Sequence, residues 1–95
     1  MLREEPGDPF LMYGLAMEHQ REGDDGAALA LFTRLQQGEP PYVPAFFRCG
    51  QMLVDLGRIE EARTALRHGI EQARLQGDAH AAGEMSELLM DLGGR

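Results

Sequence analysis

A spacing of 34 residues recurs along the chain. Gly23 and Gly57 are separated by it, and so are Ala16 and Gly50, Ala28 and Ala62, Phe32 and Leu66, and Leu35 and Gly69. In every pair one slot is filled twice by a small or apolar residue. A chain that repeats itself at such a period stacks copies of one supersecondary unit, because a single copy cannot bury its apolar face alone.

Helix formers fill the repeat. Leu, Ala, Glu, Gln, Arg and Met are abundant, whereas Val, Ile and Thr are scarce, and no stretch alternates with period two for long enough to make a strand. Glycine and proline divide the chain into five helical segments. The first opens at Asp8-Pro9, an N-cap acid followed by proline at the first helical position, and runs to about Glu22 before Gly23. The second starts after Asp24-Asp25, runs to about Gln37 and is ended by Gly38-Glu39-Pro40-Pro41. The third enters near Tyr42-Val43-Pro44 and runs to Leu56, stopped by Gly57. The fourth begins at Arg58, carries Glu60 and Glu61 in its first turn, and ends at about Gln76 before Gly77. The fifth follows Asp78 and runs to Leu92, stopped by Gly93-Gly94. Connections this short make neighbouring helices antiparallel.

A 34-residue period with two helices per repeat resembles the tetratricopeptide repeat (TPR) family. Ala16 and Gly50 stand at the small position midway along the first helix, where the second helix crosses closely, so Gly50 is expected at the closest helix approach of the second repeat; Gly23 and Gly57 stand at the glycine of the inter-helix turn. Ala28, Phe32 and Leu35, then Ala62, Leu66 and Gly69, fill the packing positions of the second helix, and Pro40 matches the closing proline. Departures exist. Met12 and Phe46 replace the family's tryptophan, His19 and Leu53 its tyrosine, and Arg74 stands where a second closing proline belongs. The resemblance implies an all-α fold: a right-handed superhelical array of antiparallel helix pairs, about five helices in all. It predicts an N-terminal tail at 1–7 and a single domain at 8–95. That domain divides into repeat one at 9–42, repeat two at 43–77 and a capping helix at 78–92.

Charge and cysteine content limit the partners. With 9 basic and 16 acidic side chains the net charge is -7, which repels nucleic acid. One cysteine, Cys49, cannot form a disulfide framework or a thiolate zinc site. No apolar run approaches the roughly 18 residues of a membrane span, and the first residues, Met1-Leu2-Arg3-Glu4-Glu5-Pro6, are too acidic for a signal peptide. A cytoplasmic protein is expected. The absence of lysine and asparagine points to codon bias in a GC-rich, bacterial source.

The resemblance also implies where a partner sits, since first helices of successive TPRs line a concave groove. By register that groove takes Phe10, Tyr13, Met17 and Gln20 from the first helix, Phe47, Gln51 and Val54 from the third, and Glu87 and Met90 from the fifth. A second face of the first helix, Met12, Leu15, Ala16 and His19, is expected to meet the core. On the fifth helix the apolar stripe Ala81, Ala82, Met85, Leu88, Leu89 and Leu92 is expected to pack inward. Glu84, Glu87 and Asp91 would then form the polar outer face that a terminal repeat element needs; the other reading of this helix is a dimer face. TPRs that clamp the acidic tails of heat-shock proteins use lysine, arginine and asparagine. Here the groove cations are at most Arg21 and Arg48, so that clamp is absent.

Residues that suggest chemistry have plainer uses. No H-E-x-x-H or i, i+4 histidine pair occurs. His19 is expected to be a packing residue, His68 and His80 surface residues, and Cys49 a buried thiol. Arg63, Arg67 and Arg74 stripe the fourth helix beside Glu60, Glu61 and Glu71, a pattern of solvated, self-paired charges; its other use would be a convex docking patch. No catalytic, cofactor or metal constellation emerges, and no enzyme activity or cofactor is expected. The function expected is protein-protein recognition: an adaptor or scaffold holding an apolar or amphipathic peptide segment in the groove, by contacts that survive high salt. The alternative is a structural unit that uses the same apolar surface to form a homodimer. Two and a half repeats fall short of the roughly three usual for an independent array.

Overall fold

A computed structural model describes residues 8–93. It contains five helices: α1 (Pro9–Arg21), α2 (Asp25–Gln36), α3 (Val43–Asp55), α4 (Ile59–Leu75) and α5 (Ala79–Gly93). Among the described residues there is no strand. Each helix boundary lies within a residue or two of the punctuation that predicts it. The predicted tail at 1–7 lies outside the described residues, as does Gly94 of the Gly93-Gly94 stop.

Three helix ends share one design. Gly23, Gly57 and Gly77 take φ of 83°, 79° and 80°, a left-handed conformation that glycine alone adopts without cost. At each, the glycine amide and the next amide bond back into the helix just ended: Gly23 to Gln20 and Asp24 to His19, Gly57 to Val54 and Arg58 to Leu53, Gly77 to Arg74 and Asp78 to Ala73. This paired pattern satisfies carbonyls that the helix end would otherwise leave open. The next helix starts at once. Asp8, Asp24 and Asp78 accept the amides of Phe10, Ala27 and Ala81. Arg58 occupies the same place before α4 but gives no side-chain cap. Its guanidinium instead donates to both oxygens of Glu61, at 2.9 and 2.8 Å, and holds that carboxyl below the usual carboxylate range.

The chain divides between Tyr42 and Val43 into two compact units. In the first, α1 packs on α2, and Ala16, Ala28, Phe32 and Leu35 are buried. In the second, α4 packs against both α3 and α5, and α3 touches α5. Its core joins Val43, Phe46, Leu66, Ile70, Ala73, Ala82 and Met85, with Phe47, Ala81, Leu88, Leu89 and Leu92 packed against it. All eight helical members of the 34-residue pairs are buried. A shared slot in sequence is thus a shared burial in structure.

Three expectations need correction. The orientation of α1 differs, since Leu15, expected in the core, is 50% exposed and His19 is only half-buried. The His19 ring lies 3.7 Å from the Asp24 carboxylate. Gly50, expected at the closest helix approach of the second repeat, is exceeded by Gly69. A Cβ on Gly50 would lie 2.7 Å from Leu66 Cδ2, but one on Gly69 would lie 2.5 Å from both Phe46 Cβ and Met85 Sδ. Gly69 therefore lets α3 and α5 close on α4 together. Finally, Arg63 is no member of a solvated stripe. Its side chain is 17% exposed, pairs with Glu60, and donates to the Leu92 carbonyl at 2.7 Å across to the end of α5.

Candidate binding groove

The groove forms where α3 and α5 lie side by side. Positions four apart on α3 put Phe47 and Gln51 on one stripe. Positions i, i+3, i+4 and i+7 on α5 put Glu84, Glu87, Leu88 and Asp91 on another. Together these six residues line a shallow cavity of about 230 Å³. Phe47 and Leu88 pack against the core cluster and supply its apolar surface. The backs of both helices are fixed by what they bury, Val43 and Phe46 on α3 and Ala82 and Met85 on α5, so the stripe left over faces the cavity.

Three of the expected groove residues, Phe47, Gln51 and Glu87, are brought together here. Glu84 and Asp91, expected on an outer face, and Leu88, expected wholly in the core, line the same cavity. Their spacing on one helix is visible in the sequence. Glu84 and Asp91 stand one turn to either side of Glu87, which the register places in the groove, so that same placement is the signal that could have found them. Val54 is half-buried on α3 and is not part of the lining, nor is Met90, which is 74% exposed.

In the first unit the expected groove residues have other surroundings. Tyr13 is half-buried, its ring centroid 6.0 Å from Phe32 in an edge-on contact and 5.4 Å from Tyr42 in a tilted one. Burial, with Tyr13 and Asp8 nearby, raises the Tyr42 hydroxyl above its ordinary pKa. Tyr13 is therefore a packing residue within its unit. Met17 and Gln20 are half-buried, and Phe10 is 70% exposed. Arg21 pairs with Glu18 on its own helix.

Elsewhere the chemistry is sparse. Cys49 is buried, and His68 and His80 are exposed, His80 at 3.5 Å from Glu84. Among the described residues no group of His, Cys, Asp and Glu gathers that could hold a metal ion. No described helix is long and apolar enough to cross a membrane.

A sequence profile described as tetratricopeptide repeat matches residues 19–85. The chain belongs to the tetratricopeptide repeat family. Two solved structures support the fold across its length. A tetratricopeptide repeat domain protein from Salinibacter ruber, determined by solution NMR, is 34% identical, with a TM-score of 0.89 over 96% of this chain and 92% of that one. A crystal structure of a tetratricopeptide repeat domain protein from the same organism is 33% identical, with a TM-score of 0.83 over 92% of this chain and 97% of that one. No curated protein matches the chain. Tetratricopeptide repeats are generally protein-protein interaction modules.

Proposed function

We propose that this tetratricopeptide repeat chain is an adaptor or scaffold, without chemistry of its own, that holds an amphipathic segment of another protein in the α3–α5 groove. In this reading α5 is the capping helix of the array and also one wall of the site. The observation that carries it is the pairing of Phe47 with Leu88 in a cavity otherwise lined by polar side chains. An apolar floor with a polar border is the usual anatomy of an interface anchor, where one desolvated contact carries most of the affinity.

Phage-displayed peptides selected on the intact chain test the proposal. Selected peptides are expected to shift amide resonances of α3 and α5, and Phe47→Ala is expected to cost more than about 1 kcal/mol of binding, as for a central aromatic anchor. Shifts gathered on α4 around Arg67 and Arg74 would move the site to that face and end the groove reading.

Self-association is the second reading, favoured by a specific feature of α1. Phe10, Leu11 and Leu15 are exposed together on that helix, with Leu11 and Leu15 one turn apart. Tyr13 and Met17, which the sequence offered for the same purpose, are half-buried.

A further inference from the structure

We infer that the segment held in the α3–α5 groove is cationic as well as amphipathic. It sets one bulky apolar side chain on Phe47 and Leu88, and flanking arginines or lysines reach Glu84, Glu87 and Asp91. The inference rests on the groove being the binding site and adds the chemistry of its occupant. Of the six lining residues, three are carboxylates, one is an amide, two are apolar and none is a cation. The carboxylates are spread along two turns of α5, about 10 Å of helix, with Leu88 among them. Asp55, exposed and one turn beyond Gln51, extends the acidic border along α3.

These charges are largely uncompensated within the described chain. Glu84 has His80 at 3.5 Å, a partner that is charged only when protonated. Neither Glu87 nor Asp91 has a cation at ion-pair distance among the described residues, although Arg21, Arg58 and Arg63 each pair with a glutamate on their own helix or at its start. Arg48, on the same α3 stripe as Asp55, is not part of the lining, so the lining itself carries only negative charge. The net charge of -7 adds a long-range field of the same sign.

Size and charge then select the occupant. A cavity of about 230 Å³ is smaller than the roughly 300–1,000 Å³ typical of small-molecule pockets. It suits a side chain presented by a larger partner. An acidic segment would set like charges against three carboxylates, and a neutral apolar one would desolvate them without replacement. A basic segment supplies both the apolar anchor and the missing counter-charge.

Three short synthetic peptides test this against the intact chain, followed by amide NMR shifts. The first alternates arginine and alanine around a central Leu-Phe pair; the second has glutamate for arginine; the third keeps arginine but has serine for Leu-Phe. The first is expected to bind with shifts on α3 and α5 and to weaken as salt rises, in contrast to a purely apolar contact. The second and third are expected to bind at least tenfold more weakly, the scale of one close charge pair or one lost anchor. In the doubly reversed variant Glu87→Lys/Asp91→Lys, with helicity checked by circular dichroism, the preference should swap toward the glutamate peptide. Equal binding of the first two peptides at α3 and α5, or no swap in the variant, overturns the inference and leaves the groove reading intact. Shifts by the first peptide that lie elsewhere, or no binding by any of the three, overturn both.

Discussion

Gly50 and Gly69 face each other's helices across α3 and α4, yet a methyl group added to each meets a different obstacle. At Gly50 it meets Leu66 Cδ2 and Cγ, atoms of a side chain that has rotamers to try. At Gly69 it meets Phe46 Cβ, which is fixed to backbone, and at the same time Met85 Sδ of α5. Gly69→Ala is therefore expected to cost about 1–3 kcal/mol by overpacking, and Gly50→Ala distinctly less. Gly14 and Gly83, inside helices with open space around them, should instead gain about 0.5–1 kcal/mol as alanine, from reduced unfolded-state freedom. Urea titration of the four variants decides. A Gly69→Ala midpoint at or above that of Gly50→Ala would refute the ranking. The 34-residue pairs make the small slot legible at Gly50, whose counterpart is Ala16, but not at Gly69, whose counterpart is Leu35. A repeated slot shows at most the size of its counterpart, and only the packed neighbours show whether what fills it can yield.

At the scale of the element, α5 is held at its far end by a residue of another helix. Arg63 reaches from α4 to the Leu92 carbonyl, one of the groups a helix C-terminus leaves open. A charged donor on such an acceptor is also favoured by the helix dipole. Arg63→Ala is expected to lower stability by about 1–2 kcal/mol, as for a charge-assisted hydrogen bond that is partly shielded from water. It should also speed amide exchange in the last turn of α5, while Arg67→Ala, on the exposed face, leaves both within error. Equal effects of the two would return Arg63 to the solvated stripe that the sequence suggests. Because Asp91 lies next to Leu92, the same contact steadies one border of the groove. The sequence hides it, since the i, i+3 pairing with Glu60 is a sufficient local use for an arginine, and a partner 29 residues away leaves no local pattern.

At the scale of the whole molecule, burial differs between the two units. The first buries Ala16, Ala28, Phe32 and Leu35, whereas the second buries large side chains from three helices, among them Phe46, Met52, Leu66, Ile70 and Met85. Apolar surface left on α1 is what would draw a second copy. Burying what remains open of Phe10, Leu11 and Leu15, which are 70%, 42% and 50% exposed, would gain about 1 kcal/mol each, somewhat more for Phe10, before association costs. If the self-association reading holds, sedimentation equilibrium should show a monomer-dimer equilibrium that Leu11→Glu/Leu15→Glu abolishes. A wild-type chain that stays monomeric to several hundred micromolar would rule it out.

The sequence by itself determined the elements and their partners in the core. Positive-φ glycines, aspartate caps and a 34-residue period are local or periodic signals, and each acts wherever the chain is placed. It also settled which faces α3 and α4 bury, because those helices separate apolar from polar residues cleanly. It could not settle α1, where Phe10, Leu11, Met12, Tyr13, Leu15, Ala16 and Met17 surround the axis and no face is polar enough to exclude burial. Tertiary packing turned that helix, placing Tyr13 against Phe32 and Tyr42 and opening Leu15. Packing likewise turned the acids of α5 toward Phe47. Ala82 and Met85 claim the core, so Glu84, Glu87 and Asp91 lie along whatever α3 offers beside them. Helical spacing fixes which residues travel together, and only the neighbouring helix decides what they face.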